Sequence, residues 1–167
     1  MKKYCFDTSG ISNPLETMPE DIHKTMWAGF CERVESGSIA TTTEIHSEFC
    51  YIPGDVGKRL ISSKSLLVLE VGEEWDWQTY VDHAQRMQVD HKDFISEFTG
   101  GSAKTICLND LTIIALAKTL SLPLVSMERL VPEDPGTKKR RIPNICKAEG
   151  VEHLVFNDFL RRENLTF

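Results

Sequence analysis

The chain has 167 residues, 41% of them hydrophobic and 26% charged, with 19 basic against 25 acidic side chains and a formal net charge of −6. That length suits one domain with a sizeable core, residues 1–167, and the negative balance argues against a protein that coats nucleic acid. A run of about 18 apolar residues is missing, which excludes a helical membrane span. Lys2 and Lys3 lead into no apolar stretch of the kind a secretory signal needs.

The five cysteines, Cys5, Cys31, Cys50, Cys107 and Cys146, are odd in number and scattered, as expected of reduced thiols in a cytoplasmic protein. Without a C-x-x-C pair or an H-E-x-x-H stretch, no zinc site is expected.

In chain order, the stretch from Lys2 to Ser9 reads as a short apolar strand that stops on Asp7, with two hydroxyl residues, Thr8 and Ser9, after it, and residues 9–14 read as a turn. Thr17 and Glu20 have the spacing of a capping box, with Pro19 in the first turn, so a helix is expected from about residue 17. Its apolar face would be Ile22, Met26, Phe30 and Val34, and Gly37 would close it in a left-handed cap. Residues 38–41 lean to strand, and a helix carrying Glu44, Ile45, Glu48 and Phe49 follows until Pro53-Gly54 breaks it. Residues 66–69 are an apolar run that suits a strand or a buried helical turn. Residues 73–98 are helical in composition and are punctuated at 99–102.

Residues 108–120 form a strongly apolar helix, and residues 124–126 read as a buried strand. A loop over 132–137 runs into Lys138-Lys139-Arg140-Arg141, and residues 142–149 form a short helix closed by Gly150. Residues 153–156 give a last strand, and Asn157 caps a terminal helix. Strands alternating with helices predict an α/β fold on a parallel sheet with right-handed crossovers.

Two decoys fail. Residues 100–105 end in Lys104-Thr105, but Ala103 stands where a nucleotide-binding P-loop needs glycine, and residues 54–58 have the wrong glycine spacing. A dehalogenase-type phosphatase would need a second aspartate two residues after Asp7, where Ser9 stands.

Ligands of open α/β sheets bind at the carboxyl ends of the strands. Asp7 ends the first strand, Glu48 lies on the helix after the second, Asp110 opens the helix over 108–120, and Glu128 follows the next strand. Each alone has an ordinary explanation: a turn cap for Asp7, an exposed glutamate for Glu48 or Glu128, and for Asp110 a helix-dipole contact of about 0.3–1 kcal/mol. Those explanations do not predict that acids should recur at one edge. Glu44, one turn from Glu48, competes for the same place. Gathered carboxylates repel one another unless a cation neutralises them, and hard oxygen ligands suit Mg²⁺ or Mn²⁺. Such an ion activates water and stabilises charge on a phosphodiester leaving oxygen. Lys138, Lys139, Arg140 and Arg141 read either as a solvated loop or as a phosphate-binding patch beside the acids, and Arg161-Arg162 as a solvated helix face.

The series Asp7-Thr8-Ser9, Glu48-Phe49, Asp110-Leu111-Thr112-Ile113-Ile114-Ala115-Leu116-Ala117 and Leu124-Val125-Ser126-Met127-Glu128 resembles a PIN domain, the family of the toxin ribonucleases of bacterial toxin–antitoxin pairs. Arg141-Ile142-Pro143-Asn144-Ile145-Cys146 and the strand–helix tail resemble a divergent branch of it. The resemblance implies a PIN-like three-layer α/β fold, with a central parallel sheet in the order 3-2-1-4-5 flanked by helices, and a Mg²⁺- or Mn²⁺-dependent endoribonuclease. By carry-over, Asp7, Glu48, Asp110 and Glu128 would be the catalytic and metal-site acids, Thr8, Ser9 and Ser126 supporting hydroxyls, and Lys138, Lys139, Arg140 and Arg141 the steering charges for RNA.

The implied partners are an RNA substrate and a cognate antitoxin protein, with no membrane and with a homodimer left open. The family usually has asparagine where Ser9 stands and aspartate where Glu128 stands. These departures keep alive a second reading, a catalytically weak or inactive PIN-like module that binds RNA or protein. DNA stays an alternative substrate, because contacts to a 2′-hydroxyl are not legible here.

Overall fold

All three side chains of β1 (Tyr4–Phe6) are buried, as a strand covered on both faces requires. The computed structural model describes residues 1–72, 75–101 and 105–166. In it β1 lies inside a four-stranded, wholly parallel sheet of order β2-β1-β3-β4, with β2 at Ile39–Ala40, β3 at Leu124–Val125 and β4 at His153–Leu154. Cys5 pairs with Ala40 on one side and Leu124 on the other, and Val125 pairs in turn with Leu154. The expected fifth strand is reduced to one parallel bridge, Thr41 to Val68, because the first half of that apolar run belongs to the helical turn α5 (Lys64–Leu67).

Alternation along β1 sends Tyr4 and Phe6 to one face and Cys5 to the other. On the first face Phe6 meets Phe30 of α2 (Lys24–Glu35) and Phe159 of α10 (Phe156–Arg162) edge-on, at 5.6 and 5.0 Å between ring centroids. Edge-to-face packing of this kind adds about 0.5–1.5 kcal/mol per pair beyond the area buried. The other face is covered by α8 (Leu108–Leu120), which packs on β1 and β3, and by α9 (Ile142–Glu149), which packs on α8 and β4. Outside α8 lies α6 (Trp77–Asp90). Helix, sheet and helix thus form three layers, the architecture expected. The side chain of Glu149, buried at 5% exposure, ties the outer layer together through Arg86 (2.6 Å), His91 (2.7 Å) and Lys118 (3.2 Å).

Several local expectations need correction. Residues 9–14 are not a turn but the start of α1 (Ser9–Thr17). Gly10 permits this: a Cβ there would lie 2.7 Å from the Val125 carbonyl oxygen, so only glycine lets the helix start so close to β3. Thr17 and Glu20 form no capping box. The Glu20 carboxylate instead accepts from the N–H groups of Asp55 (3.1 Å) and Val56 (2.9 Å) in the first turn of α4 (Gly54–Ser62), a helix that no sequence signal announced. Ile22, placed ahead of α2, is 70% exposed and not part of its apolar face.

The long helix expected over 73–98 divides into α6, a 3-10 turn at Lys92–Phe94 and α7 (Ser96–Thr99), while residues 73–74 lie outside the described residues. The segment weighed as a P-loop likewise includes 102–104, outside the described residues. Val155, not Asn157, precedes α10 as its N-cap. Gly37 and Gly150 do adopt the positive φ expected of helix-ending glycines, 72° and 70°. Among the described residues no helix is long and apolar enough to cross a membrane.

Candidate functional site

The carboxyl ends of β1, β2 and β3 open onto one edge of the sheet, and each delivers an acid there or to the helix that follows. Asp7 leaves β1 directly and is buried, 5% exposed. Its Oδ2 accepts from the Ser9 N–H (3.0 Å) and the Ser9 hydroxyl (2.6 Å), so the side chain closes a tight turn at the head of α1. The Ser9 Oγ also accepts from the Met127 N–H (3.1 Å), which joins the turn after β1 to the turn after β3. A longer asparagine is therefore not needed for the turn to hold; serine does it through one hydroxyl.

Glu48 lies in the last turn of α3 (Thr43–Phe49), a helix opened by Thr42, whose hydroxyl accepts from the Ile45 N–H. Its two oxygens are held from two directions, Oε2 by the Thr8 hydroxyl (2.6 Å) and Oε1 by the Asn109 amide (2.9 Å). Glu44 is exposed on the same helix and its charge acts on Tyr80 of α6, whereas the charge of Glu48 acts on Asp7. Asn109 was not singled out from the sequence. Its position next to Asp110, at the head of the same helix, was the available signal.

Asp110 sits in the first turn of α8 and its Oδ2 accepts from the Cys107 N–H (2.8 Å), the back-bond of a capping box. Burial pushes its carboxyl up to about 7, with the charges of Asp7 and Glu128 adding to the rise against the lowering bond from Cys107. Burial likewise pushes Asp7 up to about 6; the Ser9 bonds oppose this, and the charges of Glu128 and Glu48 reinforce it. Asp110 thus feels Asp7 and Glu128, and Asp7 feels Glu128 and Glu48.

Glu128 departs from the expected role. Its Oε1 accepts from Arg141 (3.0 Å) and its Oε2 from the Ile142 N–H (2.8 Å), so it serves as the anionic cap of α9 and as an ion-pair partner. Ser126, fully buried, bonds to His153 Nε2 (2.7 Å) and accepts from the Glu128 N–H (3.3 Å); it shapes the turn after β3 and bonds to none of the other acids. Burial holds the His153 imidazole below its usual range.

The basic cluster does not act as one patch. Arg141 reaches the acidic edge, Arg140 lies over the Phe94 ring at 4.4 Å, and Lys138 and Lys139 are exposed.

Among the described residues, no three His, Cys, Asp or Glu side chains are grouped so as to hold a metal ion together. The donor set still fits a hard cation in a sparser way. Mg²⁺ keeps several waters and is commonly held by one or two carboxylates. Asp7 and Asp110 supply two such groups, in which burial first and neighbouring acids second disfavour the ionised state.

No curated protein matches the sequence. Among solved structures, the crystal structure of PAE2754 from Pyrobaculum aerophilum is similar in fold, with a TM-score of 0.51 across 99% of this chain and 98% of that one, at 14% sequence identity. That likeness speaks to architecture alone and agrees with the three-layer arrangement. Residues 4–167 match the family described as a domain of unknown function, DUF4411, and the chain belongs to that family.

Proposed function

We propose that this chain is a PIN-like, metal-dependent endoribonuclease that hydrolyses RNA phosphodiester bonds at the carboxyl edge of its sheet, as the toxin of a toxin–antitoxin pair in the cytoplasm. The observation that carries the reading is the convergence of Asp7 and Asp110, both raised well above the ordinary aspartate range by burial and by neighbouring acids. Structural ion pairs lower carboxylate values; crowded and unrelieved acids mark a site built for something positive.

Asp7 and Asp110 would hold Mg²⁺ or Mn²⁺. When bound, the ion supplies Lewis-acid stabilisation of the phosphodiester and lowers the pKa of an attacking water. Ser9 and the Cys107 amide each fix one oxygen of these carboxylates, so their orientation is set before any ligand arrives. Glu48, braced by Thr8 and Asn109, is placed to orient the water and accept its proton. Arg141 meets the substrate phosphate, with Glu128 holding its guanidinium at the site. Lys138 and Lys139 contribute only long-range attraction. All five cysteines are free, in keeping with a reducing cytoplasm, and a cognate antitoxin would be the natural inhibitor.

A second reading, a catalytically weak or inactive PIN-like module that binds RNA or protein, draws on Glu128, whose two oxygens are both engaged in holding α9. Mn²⁺ titration calorimetry at neutral pH, wild type against Asp110→Asn, separates the two. Binding in the wild type that vanishes in the variant, followed by metal-dependent cleavage of RNA in preference to a matched DNA, is expected. No heat in either protein would overturn the nuclease reading in favour of the binding module.

A further inference from the structure

Beside the acidic edge, between α3, residues 68–71 and α6, lies a cavity of about 210 Å³ that the nuclease reading leaves idle. Its wall is aromatic, formed by Trp75, Trp77 and Tyr80, and its rim carries Glu44 and Glu70. The Trp75 and Tyr80 rings stand 5.6 Å apart at 47°.

Three polar groups of the lining are bonded within the protein. The Trp75 indole N–H donates to the Glu70 carbonyl (2.9 Å), the Thr41 hydroxyl donates to the Phe6 carbonyl (3.0 Å), and the Thr42 hydroxyl pairs with that of Thr112 (3.0 Å). Burial and then the Glu44 charge push the Tyr80 phenol up to about 12, which puts that carboxylate close to the ring. Glu44 and Glu70 are exposed, and neither forms an ion pair with another described residue. With Val68, Leu69, Val71, Val81 and Leu116 also in the lining, the cavity offers a visitor apolar surface, much of it aromatic, and two carboxylates as acceptors.

We propose that this pocket receives an arginine side chain presented by a partner protein, its guanidinium laid against the wall of Trp75, Trp77 and Tyr80 and bonded to Glu44 and Glu70. A guanidinium is flat, always charged, rich in donors and devoid of acceptors, and it stacks on aromatic faces as readily as it bonds carboxylates. A lysine ammonium is more strongly hydrated and cannot stack. A nucleotide would bring phosphates toward two carboxylates at the mouth, which repel them. The pocket shares α3 with the acidic edge, since Glu44 precedes Glu48 by one turn, so a segment anchored here lies alongside the site. The proposal uses none of the metal-site acids and stands apart from the nuclease reading.

The test is a titration of the full chain, isotopically labelled, with the capped tripeptide Ac-Gly-Arg-Gly-NH2, following the tryptophan indole resonances by NMR. The same peptide with glutamine in place of arginine is the control. The Trp75 and Trp77 signals should move and saturate with the arginine peptide only. The Trp27 indole, committed to the Met18 carbonyl in the core, should stay fixed. Glu44→Gln combined with Glu70→Gln removes two rim charges and should weaken the peptide by about fivefold. Both positions are exposed, so an unchanged spectrum elsewhere will certify the fold of the double variant. Equal binding by the double variant, an equal response to the glutamine peptide, or a response to guanosine 5′-monophosphate with none to the arginine peptide would overturn the proposal, the last by making the cavity a base pocket.

Discussion

Replacing Asp110 by asparagine should make the metal-free protein more stable at pH 8 and abolish its function, two effects of opposite sign from one atom pair. The Asn side chain keeps an oxygen for the Cys107 N–H, so the cap of α8 survives while the charge is gone. The sign follows from the raised value. A carboxyl that ionises near 7 when folded, against an ordinary 3.8, favours the fold while protonated, and that contribution is lost as pH rises through about 7. The difference corresponds to at most about 4 kcal/mol, and partial solvent access to Asp110 trims it to about 2–3 kcal/mol. Urea unfolding in the presence of EDTA at pH 5 and pH 8 reads this directly. Wild type should lose stability across the interval, and the variant should lose less and cross above it. Adding Mn²⁺ to about a hundred times its Kd should restore about 2.7 kcal/mol to the wild type at pH 8 and nothing to the variant. A variant whose pH curve runs parallel to the wild type, or lies below it at pH 8, would refute the idea that crowded, unrelieved carboxylates form this edge.

Other consequences can be measured with the same assay. Arg141→Ala leaves Glu128 with only the Ile142 N–H, and should cost about 1–2 kcal/mol while weakening RNA binding. Glu149→Gln should cost about 1–2 kcal/mol at pH 7, since Arg86 keeps Asp90 and Lys118 keeps the main-chain carbonyl of residue 149. Although burial pushes the Glu149 carboxyl up, bonds from Arg86, His91 and Lys118 hold it at about 2. Its contribution is therefore complete above the unfolded value and disappears as pH falls toward 2, so the variant and wild type should converge in acid. Gly10→Ala forces a methyl against the Val125 carbonyl and should cost about 1–3 kcal/mol in thermal or urea melts, with cleavage falling as the Asp7 turn shifts.

The parts of this fold that were legible in the sequence are those where a local signal and the tertiary context agree. The continuous apolar body of α8 and the glycines after α2 and α9 are of this kind. Residues 9–14 were illegible because serine, glycine, asparagine and proline signal a turn, whereas the helix there depends on the close approach of Gly10 to a strand far along the chain. Glu20 deceived for the opposite reason: its spacing from Thr17 suggests a local cap, and its carboxylate serves a helix start that is distant in sequence.

At the site, the place of Asp7 at a strand end and of Asp110 in the first turn of a helix could be read from the sequence, as could that of Glu48 on the helix after β2. Glu128 could not be assigned that way, since only three dimensions reveal that Arg141 and the head of α9 claim both its oxygens. The four basic residues in a row likewise promised one patch, and the backbone sends Arg140 to Phe94 and Arg141 to Glu128.

The placement of β1 at the middle of the sheet has a consequence for how the molecule comes into being. This strand is synthesised long before β3, yet its Phe6 has no partner on that side until Val125 exists. The acidic edge draws on residues 7, 48, 110 and 128, so it too is assembled last, when distant segments close on one another. A chain interrupted anywhere before β3 would carry an unfinished sheet and scattered carboxylates. For the proposed nuclease, an emerging chain would stay harmless until residue 128 has been made, and folding itself would be the step that arms it.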